Sequence, residues 1–197
     1  MEQQPGSRLT VNSTSPHGPV ETSSPIHLVL PADSVHFATL KAGQQVLLHG
    51  KIYTARDAAH LRFITLLEQG QPLPISLSGE TIFYTGPSPT PPGQIIGSCG
   101  PTTASRMDRF TPPLLNLGLK GMIGKGPRSA EVIESMKTNQ GVYFYAFGGC
   151  GALYAQRIRS REVVCFEDLG PEAVHLLEVA NFPVVVGIDS LGNSVFS

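Results

Sequence analysis

The amino-acid sequence predicts a mixed α/β domain, a sheet with helices on one side and an additional β layer. Three observations predict it. Strand-like runs dominate both ends of the chain, helical repeats follow the loops that carry Arg56, Thr102 and Lys125, and strands and helices do not alternate as a doubly wound fold requires. With 197 residues, 41% of them hydrophobic, the chain can bury one core, so a single domain is expected.

Residues 1–25 mix Ser, Thr, Pro, Gly and Gln without apolar periodicity and are expected to form a disordered tail ahead of a domain spanning residues 26–197. Residues 26–30 and 45–53 read as strands. The second feeds a helix whose apolar positions Ala58, Ala59, Leu61, Ile64, Leu66 and Leu67 follow a helical repeat, with Arg56 at its start. Residues 81–84 and 94–97 are short strands around the Pro-rich turn 87–92, which suggests a hairpin. A helix follows Thr102. Residues 121–123 resemble a buried strand and 130–136 a helix, and residues 142–147, 163–166, 175–179 and 184–188 are further strands. Asp189 to Asn193 reads as a hairpin turn in which Gly192 and Asn193 supply positive φ, with no catalytic role.

Composition removes several classes of function. A formal charge of −1 without any block of Lys or Arg lacks the electrostatic footprint of a nucleic-acid binder. No run approaches the ~18 apolar residues of a membrane span, and no basic-then-apolar leader opens the chain, so a cytoplasmic protein with no membrane partner is expected. Cys99, Cys150 and Cys165 are odd in number and lack a Cys-x-x-Cys pair, which argues against a disulfide framework and a zinc knuckle. Three thiolates are what a four-iron cluster with one open iron needs. Free cysteines are nonetheless usually small buried hydrophobes, and no metal is assigned to this chain.

The most informative run is Gly100-Pro101-Thr102-Thr103-Ala104-Ser105-Arg106-Met107-Asp108. Thr102 follows a Gly-Pro breaker and opens a stretch with apolar Met107, Phe110, Leu114, Leu115 and Leu117, which puts it at the N-cap or first turn of a helix. Side chains at i and i+4 share a face, so the Thr102 oxygen and the Arg106 fork would cover one patch, beside the free N–H groups of the helix end. That combination suits a carboxylate; the plainer alternative is a capped helix with a surface arginine. Lys125, between Gly124 and Gly126, sits where missing side chains would let a ligand approach backbone N–H groups, or is simply an exposed turn lysine. A nucleotide-binding loop is excluded, because Leu119 stands where glycine is needed and Gly126 where a hydroxyl is needed.

Arg56, Arg106 and Lys125 all fall at strand-to-helix junctions, and ligands of open α/β sheets gather outside the carboxyl ends of strands. Converging there, they would suit a dicarboxylate, since arginine forks bind carboxylates bidentately and lysine adds a point charge. Asp57 and Asp108 are candidates to orient Arg56 or Arg106, or else are plain surface charges. His60, one turn after Arg56, could pack against the sheet.

The nine-residue run around Thr102 resembles the signature of the catalytic C-terminal domain of class I fumarases and of the β subunit of L(+)-tartrate dehydratases, which are iron–sulfur hydro-lyases. Ser105 stands where that family often has Gly. Thr54-Ala55-Arg56-Asp57-Ala58-Ala59-His60, Tyr84-Thr85-Gly86-Pro87-Ser88-Pro89 and Lys120 to Ser129 resemble further family segments in the same order, as does the stretch from Glu167 to Asn193, so the likeness covers roughly residues 26–197. The resemblance implies a swivelling β/β/α domain and a fumarate hydratase β subunit, with L(+)-tartrate dehydratase or a non-catalytic dicarboxylate-binding subunit as alternatives. It implies Thr102 as the catalytic base and Arg56, Arg106 and Lys125 as substrate-binding residues for a C4 dicarboxylate. It also implies that a [4Fe-4S] cluster is held by a partner α subunit in an α2β2 assembly, not by this chain.

Overall fold

The computed structural model describes residues 24–196; the expected tail falls almost wholly outside the described residues. Strand β1 (Ile26–Leu30) is followed by the short helix α1 (Ser34–Thr39), β2 (Gln45–Thr54), α2 (Asp57–Glu68) and β3 (Thr81–Phe83). A 3₁₀ segment (Ala104–Phe110) then runs into α3 (Thr111–Asn116), β4 (Gly121–Gly124), α4 (Ala130–Asn139) and β5 (Val142–Tyr145). The chain ends with α5 (Gly151–Ala155), β6 (Ile158–Cys165), a second 3₁₀ segment (Glu167–Glu172) and the long β7 (Val174–Ile188). Local chemistry explains the ends of α4: the Ser129 hydroxyl accepts from Val132 N–H at 3.3 Å, and Gln140 terminates the helix in the left-handed region at φ 53°.

Among the described residues, seven strands form one sheet in the order β1-β2-β3-β4-β5-β7-β6. Strands β1 to β5 run parallel, β7 is antiparallel to β5 and β6, and it also pairs along β2. That last pairing closes β2, β3, β4, β5 and β7 into a barrel-like ring. Residues alternate between its two faces, as strand geometry demands. Phe83, Ile123, Val142 and Phe144 join one core with Leu48, Ile52, Leu177 and Phe182, while Ile82, Met122 and Tyr143 join the other. The second core is roofed by α2 (Ala59, Phe63), the first 3₁₀ segment (Ala104, Met107), α3 (Leu114, Leu115) and α4 (Val132, Met136).

The mixed α/β expectation holds in these terms, with four corrections. The additional β layer is the same sheet curling over its own core. Helices are not confined to one side, because α1 and α5 place Phe37 and Tyr154 in the first core. The hairpin of residues 81–84 and 94–97 does not form. Both edges of β3 are taken, by β2 and β4, and residues 94–97 form no strand; Ser88 and Ser98 instead tie the two arms of the loop with bonds of 2.8 and 3.0 Å. The strands expected at 175–179 and 184–188 are one, β7, bent where Asn181 adopts φ 52° and the strand passes beyond its pairing with β6 to join β5.

Candidate active site

The carboxyl ends of β2, β3 and β4 lie along one edge of the parallel array, which is where the chain places its cations. Arg56 is the N-cap of α2, two residues beyond β2. Lys125 follows β4 directly. Segment 102–104 wedges between the extensions of β3 and β4. Thr102 N–H donates to Tyr84 O at 2.6 Å, Lys125 N–H donates to Thr102 O at 3.2 Å, and Ala104 N–H donates to Lys125 O at 2.8 Å. Thr103 and Lys125 form a parallel bridge.

This arrangement corrects the local geometry read from sequence. Thr102 lies outside any helix, Thr103 after it is in extended backbone, and the helical segment that follows is 3₁₀ and begins at Ala104. Thr102 and Arg106 therefore do not share a helical face. The N–H of Ala104 and that of Lys125 are also committed to backbone, not left for an anion. Gly124 has no side chain for a packing reason: a Cβ there would stand 2.9 Å from the Tyr84 ring, 3.1 Å from Ala104 Cβ and 3.3 Å from Thr102 O. The glycine lets Thr102 lie against Lys125; it does not open a ligand cradle.

The structure nevertheless brings the four predicted residues together in two pairs, Arg56 with Arg106 through Asp57 and Thr102 with Lys125 through the backbone. Arg106 donates from Nε and Nη2 to the two oxygens of Asp57, at 2.9 and 2.7 Å. Arg56 Nε is 3.5 Å from Asp57 Oδ2, and Arg56 Nη2 is 3.4 Å from Glu172 Oε1. Arg56 lies across Gly86, where a Cβ would meet its Cδ at 3.0 Å and its Nη1 at 3.1 Å. Gly86 is two residues from Tyr84, the acceptor for Thr102. The Lys125 side chain runs toward Gly148, whose added Cβ would be 4.0 Å from Nζ. Among the described residues Lys125 has no carboxylate within ion-pair distance, unlike both arginines.

Two supports of this edge were not foreseen in the roles they take. Glu172 comes from the second 3₁₀ segment, and its Oε2 also accepts Ala58 N–H at 2.8 Å; 114 residues separate them, so no local signal marks the contact. Arg128 is fully buried and donates to Asp108 at 2.6 Å and Thr111 Oγ1 at 2.7 Å, which takes Asp108 away from the site arginines and gives it a packing role. His60 does pack against the sheet as anticipated. It is fully buried against the rings of Tyr84 and Phe110, and its Nδ1 bonds to Arg56 O at 2.9 Å. Because that carbonyl only accepts, Nδ1 carries the proton. Burial pushes the His60 pKa down to about 4, against the pull of the Arg56 carbonyl and with help from the Arg128 charge, so the ring is neutral.

The cysteines do not fit an iron–sulfur cluster. Cys99 belongs to the first core and Cys150 packs against it, whereas Cys165 packs against the second, on the other face of the sheet. Burial raises the thiols of Cys99 and Cys165, to about 12 and about 11, away from the thiolates that iron requires. Among the described residues no group of three or more His, Cys, Asp and Glu side chains could hold a metal ion. No described helix is long and apolar enough to cross a membrane. Two cavities among the described residues, of about 340 and 600 Å³, lie along the Pro87–Ser98 loop and are lined by none of Arg56, Thr102, Arg106 or Lys125.

Comparison with known proteins shows the family of the chain. The family model described as fumarase C-terminus matches residues 3–197. The chain belongs to this family. It is 40% identical over 163 residues to the putative L(+)-tartrate dehydratase subunit beta of Methanocaldococcus jannaschii, an alignment covering 80% of this chain and 84% of that one. It is 36% identical over 180 residues to fumarate hydratase 2 of Leishmania major, covering 89% of this chain and 32% of that protein. The class I aerobic fumarate hydratase of Escherichia coli is 39% identical over 151 residues, with 76% and 28% covered. The chain thus spans about a third of the length of these fumarate hydratases and most of the tartrate dehydratase subunit.

Proposed function

We propose that this chain is the β subunit of a two-subunit, cytoplasmic iron–sulfur hydro-lyase that interconverts fumarate and (S)-malate, and that its fold is the swivelling β/β/α domain. The observation that carries the reading is the placing of two pairs, Thr102 with Lys125 and Arg56 with Arg106, at the carboxyl edge of the parallel strands. The name of the Methanocaldococcus jannaschii relative, a subunit beta, supports an α-subunit partner, and the α2β2 assembly is what the family resemblance implies. The same relative favours L(+)-tartrate dehydratase as the second reading, because tartrate presents the same two carboxylates.

In the dehydration direction a base removes the proton from the carbon next to one carboxylate, and hydroxide leaves the neighbouring carbon. Arg56, Arg106 and Lys125 bind and orient the carboxylates, and Thr102 Oγ takes the proton. A threonine hydroxyl is a very weak acid, and its activation must come from its surroundings. The one-turn start of a 3₁₀ segment supplies little, since even a helix N-terminus offers only ~0.3–1 kcal/mol, less than one pKa unit at ~1.4 kcal/mol. We assign that burden to Arg106 and to Lys125, which lacks a carboxylate neighbour among the described residues, once the partner closes the edge to water. The resemblance assigns the electrophile for the departing hydroxide, a [4Fe-4S] cluster, to the α subunit.

The test is anaerobic reconstitution with a cluster-bearing α subunit, following the ultraviolet absorbance of fumarate, with tartrate assayed in parallel. The chain alone is expected to be colourless and inactive. In the reconstituted enzyme, Thr102→Ala should lower kcat by about 10²-fold or more with little change in KM, and Thr102→Ser should recover part of the rate. Near-wild-type kcat in Thr102→Ala, with the cluster intact, would reduce Thr102 to a packing residue.

A further inference from the structure

Two carboxylates, Asp57 and Glu172, stand among the three cations assigned to a dianionic substrate, leaving a formal +1 from Arg56, Arg106 and Lys125. A site that bound its ligand by net charge alone would exclude them. Their geometry suggests another use. Asp57 takes the side edge of the Arg106 guanidinium, the Nε–H and one hydrogen of Nη2, at 2.9 and 2.7 Å. A guanidinium has five N–H donors, so both hydrogens of Nη1 and the second of Nη2 remain, and one from each of these nitrogens forms the other bidentate edge. The Arg106 side chain is half exposed, at 50%, and has long, mobile rotamers unless something holds them. Asp57 itself is held, as the first residue of α2. Glu172 fixes the next N–H of that helix and faces Arg56, whose Nε in turn lies 3.5 Å from Asp57.

We propose that Asp57 is a positioning residue, which clamps Arg106 side-on, with Arg56 beside it, so that the remaining edge of the Arg106 guanidinium faces a substrate carboxylate. The proposal rests on the dicarboxylate reading above. Asp57 touches no reacting atom and stays bound to Arg106 when substrate is present. The rival is that Asp57 fills the place of a substrate carboxylate and is displaced by it.

Kinetics of the reconstituted enzyme separate these by sign. Removing a negative charge beside a dianion site would by charge alone tighten binding and lower KM. Loss of the clamp in Asp57→Ala should raise KM by about tenfold or more, and Asp57→Asn, which keeps one acceptor oxygen at the same size, should recover part of it. In an Arg106→Ala background, Asp57→Ala should change KM by less than about threefold, because the residue it acts through is gone. A purely structural ion pair would alter the folded fraction and leave KM unmoved.

A second measurement needs no activity. In the full-length chain, the Arg106 Nε–H nuclear magnetic resonance signal, assigned by its loss in Arg106→Lys, should be slow to exchange. It should become fast-exchanging in Asp57→Ala, and added succinate should shift but not abolish it. A signal unchanged by Asp57→Ala, its loss on adding succinate, or a KM that falls would each overturn the proposal. A wild-type complex inactive on fumarate and tartrate would instead refute the functional reading, while the Nε–H signal still decides whether Asp57 holds Arg106.

Discussion

Removing the Asp108 carboxylate should be among the most damaging single changes in the domain, although the residue lies outside the substrate contacts. Arg128 has no exposed side-chain surface and Asp108 has 15%. The pair is 2.6 Å apart, Asp108 Oδ2 also accepts Ser129 N–H at 2.8 Å, and the guanidinium lies 5.4 and 5.2 Å from the Tyr84 and Tyr143 ring centres. Asp108→Ala leaves a buried cation whose neutral partners, Thr111 Oγ1 and the Tyr84 hydroxyl, cannot balance its charge. Breaking such a pair from one side costs about 3–5 kcal/mol. For a domain of this size each kcal/mol moves Tm by about 2–4 °C, so the loss should be roughly 6–20 °C. The pair also bolts the 3₁₀ segment bearing Arg106 to the loop bearing Lys125, so the damage should reach activity as well. Calorimetry and urea unfolding at neutral pH are the assays. Because the penalty is that of an unpaired buried charge, Asp108→Ala with Arg128→Met should be more stable than Asp108→Ala alone. A single variant within about 1 kcal/mol of wild type, or a double variant no better than the single, would refute the reasoning.

Two further outcomes follow from the same geometry. His60 has a folded-state pKa of about 4 against 6.5 unfolded, so its contribution to stability is complete above pH 6.5 and is lost as the pH falls toward 4, by at most about 3 kcal/mol; subtracting the stability-versus-pH curve of His60→Phe from that of wild type should isolate this one-proton slope, and a flat difference would contradict it. Gly86→Ala places a Cβ 3.0 Å from Arg56 Cδ and 3.1 Å from Pro171 O, and displacing Arg56 from a carboxylate, worth about 1.5–3 kcal/mol, should raise KM at least about tenfold with the fold intact by circular dichroism.

The parts of the fold legible in the sequence are those where one period dominates. The apolar repeat of α2 and the run of β2 stand in the chain as clear patterns, and both elements form within a residue of where the pattern puts them. The failures share a cause, which is that pairing partners are chosen by tertiary structure. Residues 81–84 and 94–97 flank a turn and look like hairpin arms, yet β3 finds parallel partners on both sides and leaves residues 94–97 as loop. Helix α5 is too short, at 5 residues, to show a period. The junction of β7 is hidden because Asn181 in the left-handed region looks in sequence like a turn, whereas here it only bends a strand that keeps pairing with β2 on either side.

The candidate site was legible as a set of residues and illegible as a geometry. Place after a strand selected Arg56 and Lys125, because a parallel sheet gathers the carboxyl ends of its strands at one edge whatever the connections between them; Thr102 and Arg106 were selected by a helical spacing and a family resemblance, and no strand directly precedes them. A helical i, i+4 spacing was the wrong ruler. The Gly-Pro pair ahead of Thr102 starts no α-helix; it leaves the chain extended long enough for Thr102 to bond Tyr84 on one side and Lys125 on the other. The backbones of Thr102 and Lys125 are thus set by β-type pairing, whereas the Arg106 guanidinium is held by a carboxylate from another element. Of the four, Arg106 is accordingly the residue whose placement depends most on a single neighbour, and that neighbour, Asp57, is the first residue of the helix that Arg56 caps.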